Sequence, residues 1–134
     1  MPDLAKSLAD PDPLVRSLSA VALRSIGVKA SEAAPALIQA LSDAEPTVRA
    51  PAADAIGAMG PAARSAIRAL SERLLVPGEV VYVLRSDATA LGNIGPEAAS
   101  ALPALREVLK LSRVTAAAEE AILKINKQPV STWF

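Results

Sequence analysis

Asp12-Pro13-Leu14-Val15-Arg16 returns as Glu45-Pro46-Thr47-Val48-Arg49, at an offset of 33 residues. What surrounds it returns at the same offset. Pro2-Asp3-Leu4-Ala5-Lys6-Ser7-Leu8-Ala9-Asp10 becomes Pro35-Ala36-Leu37-Ile38-Gln39-Ala40-Leu41-Ser42-Asp43, and Ile26-Gly27 becomes Met59-Gly60. A third, looser copy follows at an offset of 35, where Ile94-Gly95-Pro96 parallels Met59-Gly60-Pro61. In the same copy Pro103, Leu105 and Leu109 parallel Pro35, Leu37 and Leu41. A fourth half-copy runs from Val114 to Ile125-Asn126. A fixed period of this length marks an array of small supersecondary units, each unable to bury its apolar face alone.

Each unit carries a helical period twice. In its first half Val15, Leu18, Ala22, Leu23 and Ile26 recur at spacings of three and four, which draws one stripe along a helix. Asp12 and Pro13 supply the N-cap and first helical position, and Gly27 supplies a left-handed residue at the end. In the second half Ala34, Leu37 and Leu41 draw another stripe, with Ser31 as its expected cap. The unit is an antiparallel helix pair. Later first helices are predicted near 46–59, 79–94 and 113–126, and second helices near 62–75 and 97–110. Gly60-Pro61 and Gly95-Pro96 form the joints between them, and Asn126 stands at the glycine place of the last copy. The fold class is all-α: an α-solenoid of seven helices preceded by an N-terminal half-repeat helix. A single domain over 1–134 divides into a half-repeat 1–10, repeats of about 11–43, 44–76 and 77–111, a terminal half-repeat 112–127 and a tail 128–134.

Composition agrees with stacked helices. The chain of 134 residues holds 29 Ala and 17 Leu against one Trp, one Tyr and one Phe, so its core is built from small and aliphatic groups that let backbones approach closely. Without cysteine or histidine there is no disulfide, no thiolate zinc site and no imidazole base, which removes most familiar catalytic machinery. Glu119 and Glu120 are adjacent on a helix and diverge, so they form no acid/base pair. No enzyme activity, cofactor or metal is expected. Fourteen basic side chains balance fourteen acidic ones, which argues against an electrostatic nucleic-acid binder. No apolar run is long enough to span a bilayer. The lack of cysteine suits a reducing compartment, and the expected location is cytoplasmic, with a periplasmic or secreted parent as the alternative.

The layout Asp-x-(Asp/Glu)-Pro-x-Val-Arg, an Ala-rich helix, Ile-Gly or Met-Gly, then Ala-Pro-x-Leu and Leu-x-Asp resembles HEAT repeats. It is most similar to the short bacterial and archaeal type called phycobilisome-lyase HEAT-like repeats. The Trp, Tyr and Phe landmarks of tetratricopeptide units and the Thr-Pro-Leu-His of ankyrin units are missing. The resemblance runs from Pro2 to about Asn126. It implies a protein-binding scaffold and, in some members, assistance in chromophore attachment or DNA binding. It also implies a structural role for Asp10, Arg16, Asp43 and Arg49, each arginine reaching a turn carboxylate or carbonyls in its own or the adjacent repeat.

Three places depart from the repeat. Leu75 to Arg85 carries two extra residues, loses the aspartate turn, puts Leu84 where Arg49 stood and contains the only tyrosine, Tyr82. This reads either as an insertion at a turn or as an edge that touches a partner. Pro51, five residues beyond Pro46, removes an amide donor and is expected to bend its helix near the first turn. The tail, with Trp133 and Phe134, leaves the repeat, and its position is open between a lid, a free end and a docking segment.

The leading expectation is a non-enzymatic scaffold that holds a protein or peptide on a concave face lined by the second helix of each unit. Once core positions are removed, Lys6, Gln39, Glu72 and Glu107 form one register-matched row, with Arg106 beside it and Arg64 and Arg68 nearby; Tyr82 joins them as a candidate anchor. An accessory subunit of a phycobilin lyase is the alternative, and a DNA-binding module a more distant one. Self-association through the repeat ends is a further expected partnership.

Overall fold

The computed structural model describes residues 2–110 and 115–126, and every regular element among them is helical. The order is α1 (Pro2–Ser7), α2 (Pro13–Ile26), α3 (Ala34–Ala40), α4 (Pro46–Ala58), α5 (Ile67–Leu74), α6 (Val81–Ile94), α7 (Leu102–Leu109) and α8 (Thr115–Asn126). Helices α2, α4, α6 and α8 stack in sequence as one layer, and α3, α5 and α7 pack against them as a second. This is the expected α-solenoid, with seven helices after the short α1. Leu23, Leu37, Val48, Ile56, Leu70, Leu91, Leu105 and Ile122 are fully buried in one cluster that runs through all units.

The caps act largely as the sequence predicts. Asp12 is extended and its carboxylate accepts the Leu14 amide at 2.9 Å, with Pro13 opening the helix where no donor is needed. Gly27, Gly60 and Gly95 take φ of 69°, 61° and 91°, conformations a side chain would resist. The second half of each unit differs from expectation. It opens as a 3-10 segment, Gly27–Ala33, Gly60–Ala66 and Pro96–Ala101, before turning α-helical. Ser31 therefore lies inside a 3-10 segment and caps nothing; α3 begins at Ala34 after Ala33, with no side-chain cap. The tighter winding narrows each connection and sets Ala30, Ala33, Ala63, Ala66, Ala98 and Ala101 inward, all buried.

Close contact between first helices is made by glycine against alanine. A β-carbon on Gly92 would stand 2.8 Å from the Ala121 α-carbon, and one on Gly57 3.0 Å from that of Ala90, so both positions exclude any side chain without backbone movement. Part of the surplus of alanine thus lies where successive first helices meet.

Pro51 does not end its helix, since α4 continues as α-helix through it from Pro46 to Ala58. The missing Pro51 amide would leave the Thr47 carbonyl, four residues back, without its partner. Ser17 of α2 fills that place: its Oγ donates to the Thr47 carbonyl at 2.8 Å. A backbone defect in one repeat is thereby repaired by a hydroxyl from the previous one. Ser17→Ala should lower stability by about 1 kcal/mol in chemical denaturation. In a Pro51→Ala background the restored amide bonds the same carbonyl, and the serine change should cost less than half as much; equal costs in the two backgrounds would refute the coupling.

Candidate functional site

The turns between units are joined by arginines. Arg16 on α2 sends Nε and Nη2 to the two carboxylate oxygens of Asp43 at 2.8 and 3.2 Å, and Nη1 to the carbonyls of Asp10 and Pro11 at 2.7 and 3.1 Å. Arg49 on α4 repeats the pattern one unit on, with Nε and Nη2 on Glu79 at 2.8 and 2.7 Å and Nη1 on the Asp43 carbonyl at 2.7 Å. The planar fork of a guanidinium suits this two-sided, bidentate task. Asp10 and Asp43 also shape their own turns, accepting the amides of Asp12 and Glu45 at 2.8 and 3.0 Å. Asp43 is thus held by Arg16 of its own unit through its carboxylate and by Arg49 of the following one through its carbonyl.

Glu79 is a member that the repeat pattern does not flag. The Asp43 register falls on Val76, and the longer glutamate, placed beyond the two-residue insertion, supplies the carboxylate instead. It is 2% exposed in its side chain and also accepts from Arg73 at 3.1 Å and from the Val80 amide at 2.9 Å. Burial pushes its carboxyl upward, but the hydrogen bonds from Arg49, Val80 and Arg73 overcome this and hold it below the usual carboxylate range. The signal available in the sequence was that Glu79 is the one acid in a turn that had lost its aspartate.

The third unit lacks an arginine rung. Leu84, 3% exposed, occupies the register of Arg16 and Arg49, and α6 starts only at Val81 after an extended Val80. Beside it lies a cavity of about 330 Å³ lined by Leu74 to Glu79, Leu84, Glu107 and Val108. One helical turn further, Asp87 is 1% exposed and, among the described residues, neither of its oxygens has a hydrogen-bond partner; the Nε of Arg73 is likewise buried without one. Burial raises the Asp87 carboxyl to about 8, with the Glu79 and Asp54 charges adding to the shift and those of Arg73 and Arg49 opposing it. Asp87 sits on the apolar stripe of its helix, between Leu84 and Leu91, so its departure from pattern is visible in the sequence.

The expected binding residues fall into two groups. Lys6, Gln39, Arg64, Arg68, Glu72, Arg106 and Glu107 are all exposed on α1 and on the second half of each unit. Several already engage charges nearby: Arg68 with Glu72 at 3.0 Å, Glu107 with Lys110 at 3.0 Å, and Arg64 with Glu97 at 3.7 Å. Tyr82, 44% exposed, stands apart on the first helix of its pair, in register with Thr47 and Leu14. The tail with Trp133 and Phe134 lies outside the described residues. On α2, Leu14, Leu18 and Val21 are exposed, and Ala22 is half-buried where its counterparts Ala55, Ala90 and Ala121 are buried by a preceding helix. Among the described residues no helix is long and apolar enough to cross a membrane, and no cluster of carboxylates could hold a metal ion.

Two outcomes follow from this geometry. Arg49→Ala removes two of the four hydrogen bonds that hold the buried Glu79 charge and should cost about 2–4 kcal/mol by denaturation, more than Arg16→Ala, whose partner Asp43 is more exposed. Asp87 gives the opposite dependence on pH from Glu79. Between its ordinary range near pH 4 and about 8, the folded chain keeps a proton that the unfolded chain has lost. Stability therefore falls as pH rises through that window, by up to about 1.4 kcal/mol per unit. With no histidine to titrate there, melting of Asp87→Asn against wild type at pH 5.5 and 8.5 isolates the effect. The variant should gain most at the higher pH, and parallel melting curves at both values would exclude it.

Solved structures share this architecture. The crystal structure of an engineered protein, a Northeast Structural Genomics Consortium target, matches 95% of this chain with a TM-score of 0.74 at 24% identity, the match covering 62% of that protein. A second engineered protein matches over 92% of this chain and 62% of its own, at TM-score 0.76 and 25% identity. A third does so over 96% and 38%, at 0.73 and 23%. The chain thus spans less than two thirds of the length of these structures. No curated protein matches it significantly. A family model described as HEAT repeats matches residues 1–88, a segment that holds both arginine rungs and the interrupted turn. With most of its length covered by that model, the chain belongs to the HEAT-repeat family.

Proposed function

We propose that the chain is a non-catalytic scaffold that binds a protein or peptide along the exposed row on its second helices. HEAT repeats serve in general as protein-interaction scaffolds, and that general role supports the reading. The observation that carries it here is the segregation of the surface. Gln39, Glu72 and Glu107 project from α3, α5 and α7 in matching register, with Arg106 beside them, while Leu37, Leu70 and Leu105 of the same helices are fully buried. Charges of both signs along and beside the row, Lys6 and Arg106 with Glu72 and Glu107, suit a polar, extended partner better than a phosphate backbone, which would select an excess of cations. The ion pairs along it are exposed and exchange partners at little cost.

Selection of peptides from a display library on the immobilised chain, followed by calorimetry with a selected peptide, tests this. Gln39→Lys combined with Glu72→Lys should weaken binding roughly tenfold or more. The melting temperature should barely move, because both side chains are exposed. Peptides whose affinity ignores these changes but drops with Tyr82→Ala would move the site to the first-helix face.

A further inference from the structure

We infer that the cavity at the α5–α6 turn is a socket for an arginine side chain presented by a partner polypeptide, which completes in trans the rung that Leu84 leaves unmade. In the first two units the arginine Nη1 bonds the carbonyl six residues earlier in the chain, Arg16 to Asp10 and Arg49 to Asp43, each at 2.7 Å. The same step back from Leu84 leads to Gly78. Among the described residues no hydrogen bond is donated to the Gly78 carbonyl, and Gly78 lines the cavity together with Leu84. By register the Gly78 carbonyl is the counterpart of two filled acceptors, while the side chain in the arginine position ends in methyl groups.

The walls match the rest of an arginine. Leu74, Leu84 and Val108 are buried and apolar, a surface for the methylene stem. The rim carries two carboxylates. Glu79 is already saturated by Arg49, Arg73 and the Val80 amide and contributes charge only. Glu107 is free to exchange, since its only ion pair among the described residues is with Lys110 and both side chains are more than half exposed. A carbonyl from Gly78 and a carboxylate from Glu107 are the same two kinds of acceptor that hold Arg16 and Arg49, and such a pair favours a guanidinium fork over an ammonium point charge. Substituting Leu for Arg at this register therefore moves a structural contact onto a partner. The socket touches the proposed second-helix row only at Glu107 and stands independently of Gln39 and Glu72.

Amide spectra of the whole chain, titrated with N-acetyl-arginine amide, N-acetyl-citrulline amide and N-acetyl-norleucine amide, test the socket directly. The arginine compound should give saturable shifts at Gly78, Glu79, Leu84 and Val108. Citrulline, of the same shape but uncharged, should bind roughly tenfold more weakly. Leu84→Arg should abolish these shifts, because its own guanidinium fills the socket, with a melting temperature at or above that of wild type. Should that variant fail to fold, Glu107→Gln serves instead and should remove most of the preference for arginine over citrulline. Norleucine binding as well as arginine, arginine binding undiminished in Leu84→Arg, an unchanged preference in Glu107→Gln, or no saturable shift would each overturn the proposal. Gln39→Lys with Glu72→Lys should leave the titration unaltered, so failure of the row and failure of the socket are told apart.

Discussion

Each inter-repeat arginine is bound on one side to the backbone of its own turn and on the other to a carboxylate of the next. That two-sided contact governs how successive units stand to one another. Hydrophobic burial alone is indifferent to small slips between neighbouring helix pairs, since it depends on area and not on direction. The bidentate bonds of Arg16 and Arg49 are directional, and they fix the spacing of three turns through Asp43 and Glu79. The glycine-to-alanine contacts then follow, because Gly57 and Ala90 meet only when the units hold this register.

Much of this arrangement is written in the period. The recurrence of Asp-Pro or Glu-Pro, Val-Arg, and Ile-Gly or Met-Gly places the first helices to within a residue or two, since caps and left-handed glycines act locally and need no knowledge of the rest. The 3-10 opening of each second half is less legible. After the opening glycine or proline its sequences, such as Val28 to Ala33, contain nothing that selects a 3-10 segment over an α-helix. Glu79 and Ser17 escape for a related reason. Each substitutes for a group missing elsewhere, an aspartate lost from a turn or an amide lost to Pro51, and such pairings exist only in space.

The candidate site shows the same division. The row Gln39, Glu72 and Glu107 is readable because register on a repeated helix determines which positions are outward. The cavity is not readable, because it arises from two coincident changes, the insertion before Glu79 and Leu84 in an arginine register, whose sum is a space. Asp87 occupies a middle position. A carboxyl on an apolar stripe is conspicuous, yet its loss of partners and its raised proton affinity depend on the ring of charges formed by Glu79, Arg73, Arg49 and Asp54.

The interruption of the arginine series also divides the chain mechanically. Up to Glu79 successive turns are tied by short, directional bonds between largely buried groups. Beyond it, the described residues join α6 to α8 through apolar contact and one exposed bond, Lys124 to Asn93 at 2.8 Å. A solenoid built this way is a spring of uneven stiffness, rigid over its first two coils and compliant over its last. Bending, twisting or pulling will concentrate strain beyond that last tied turn, between α6 and α8, where the curvature of the array can adapt to whatever lies along it.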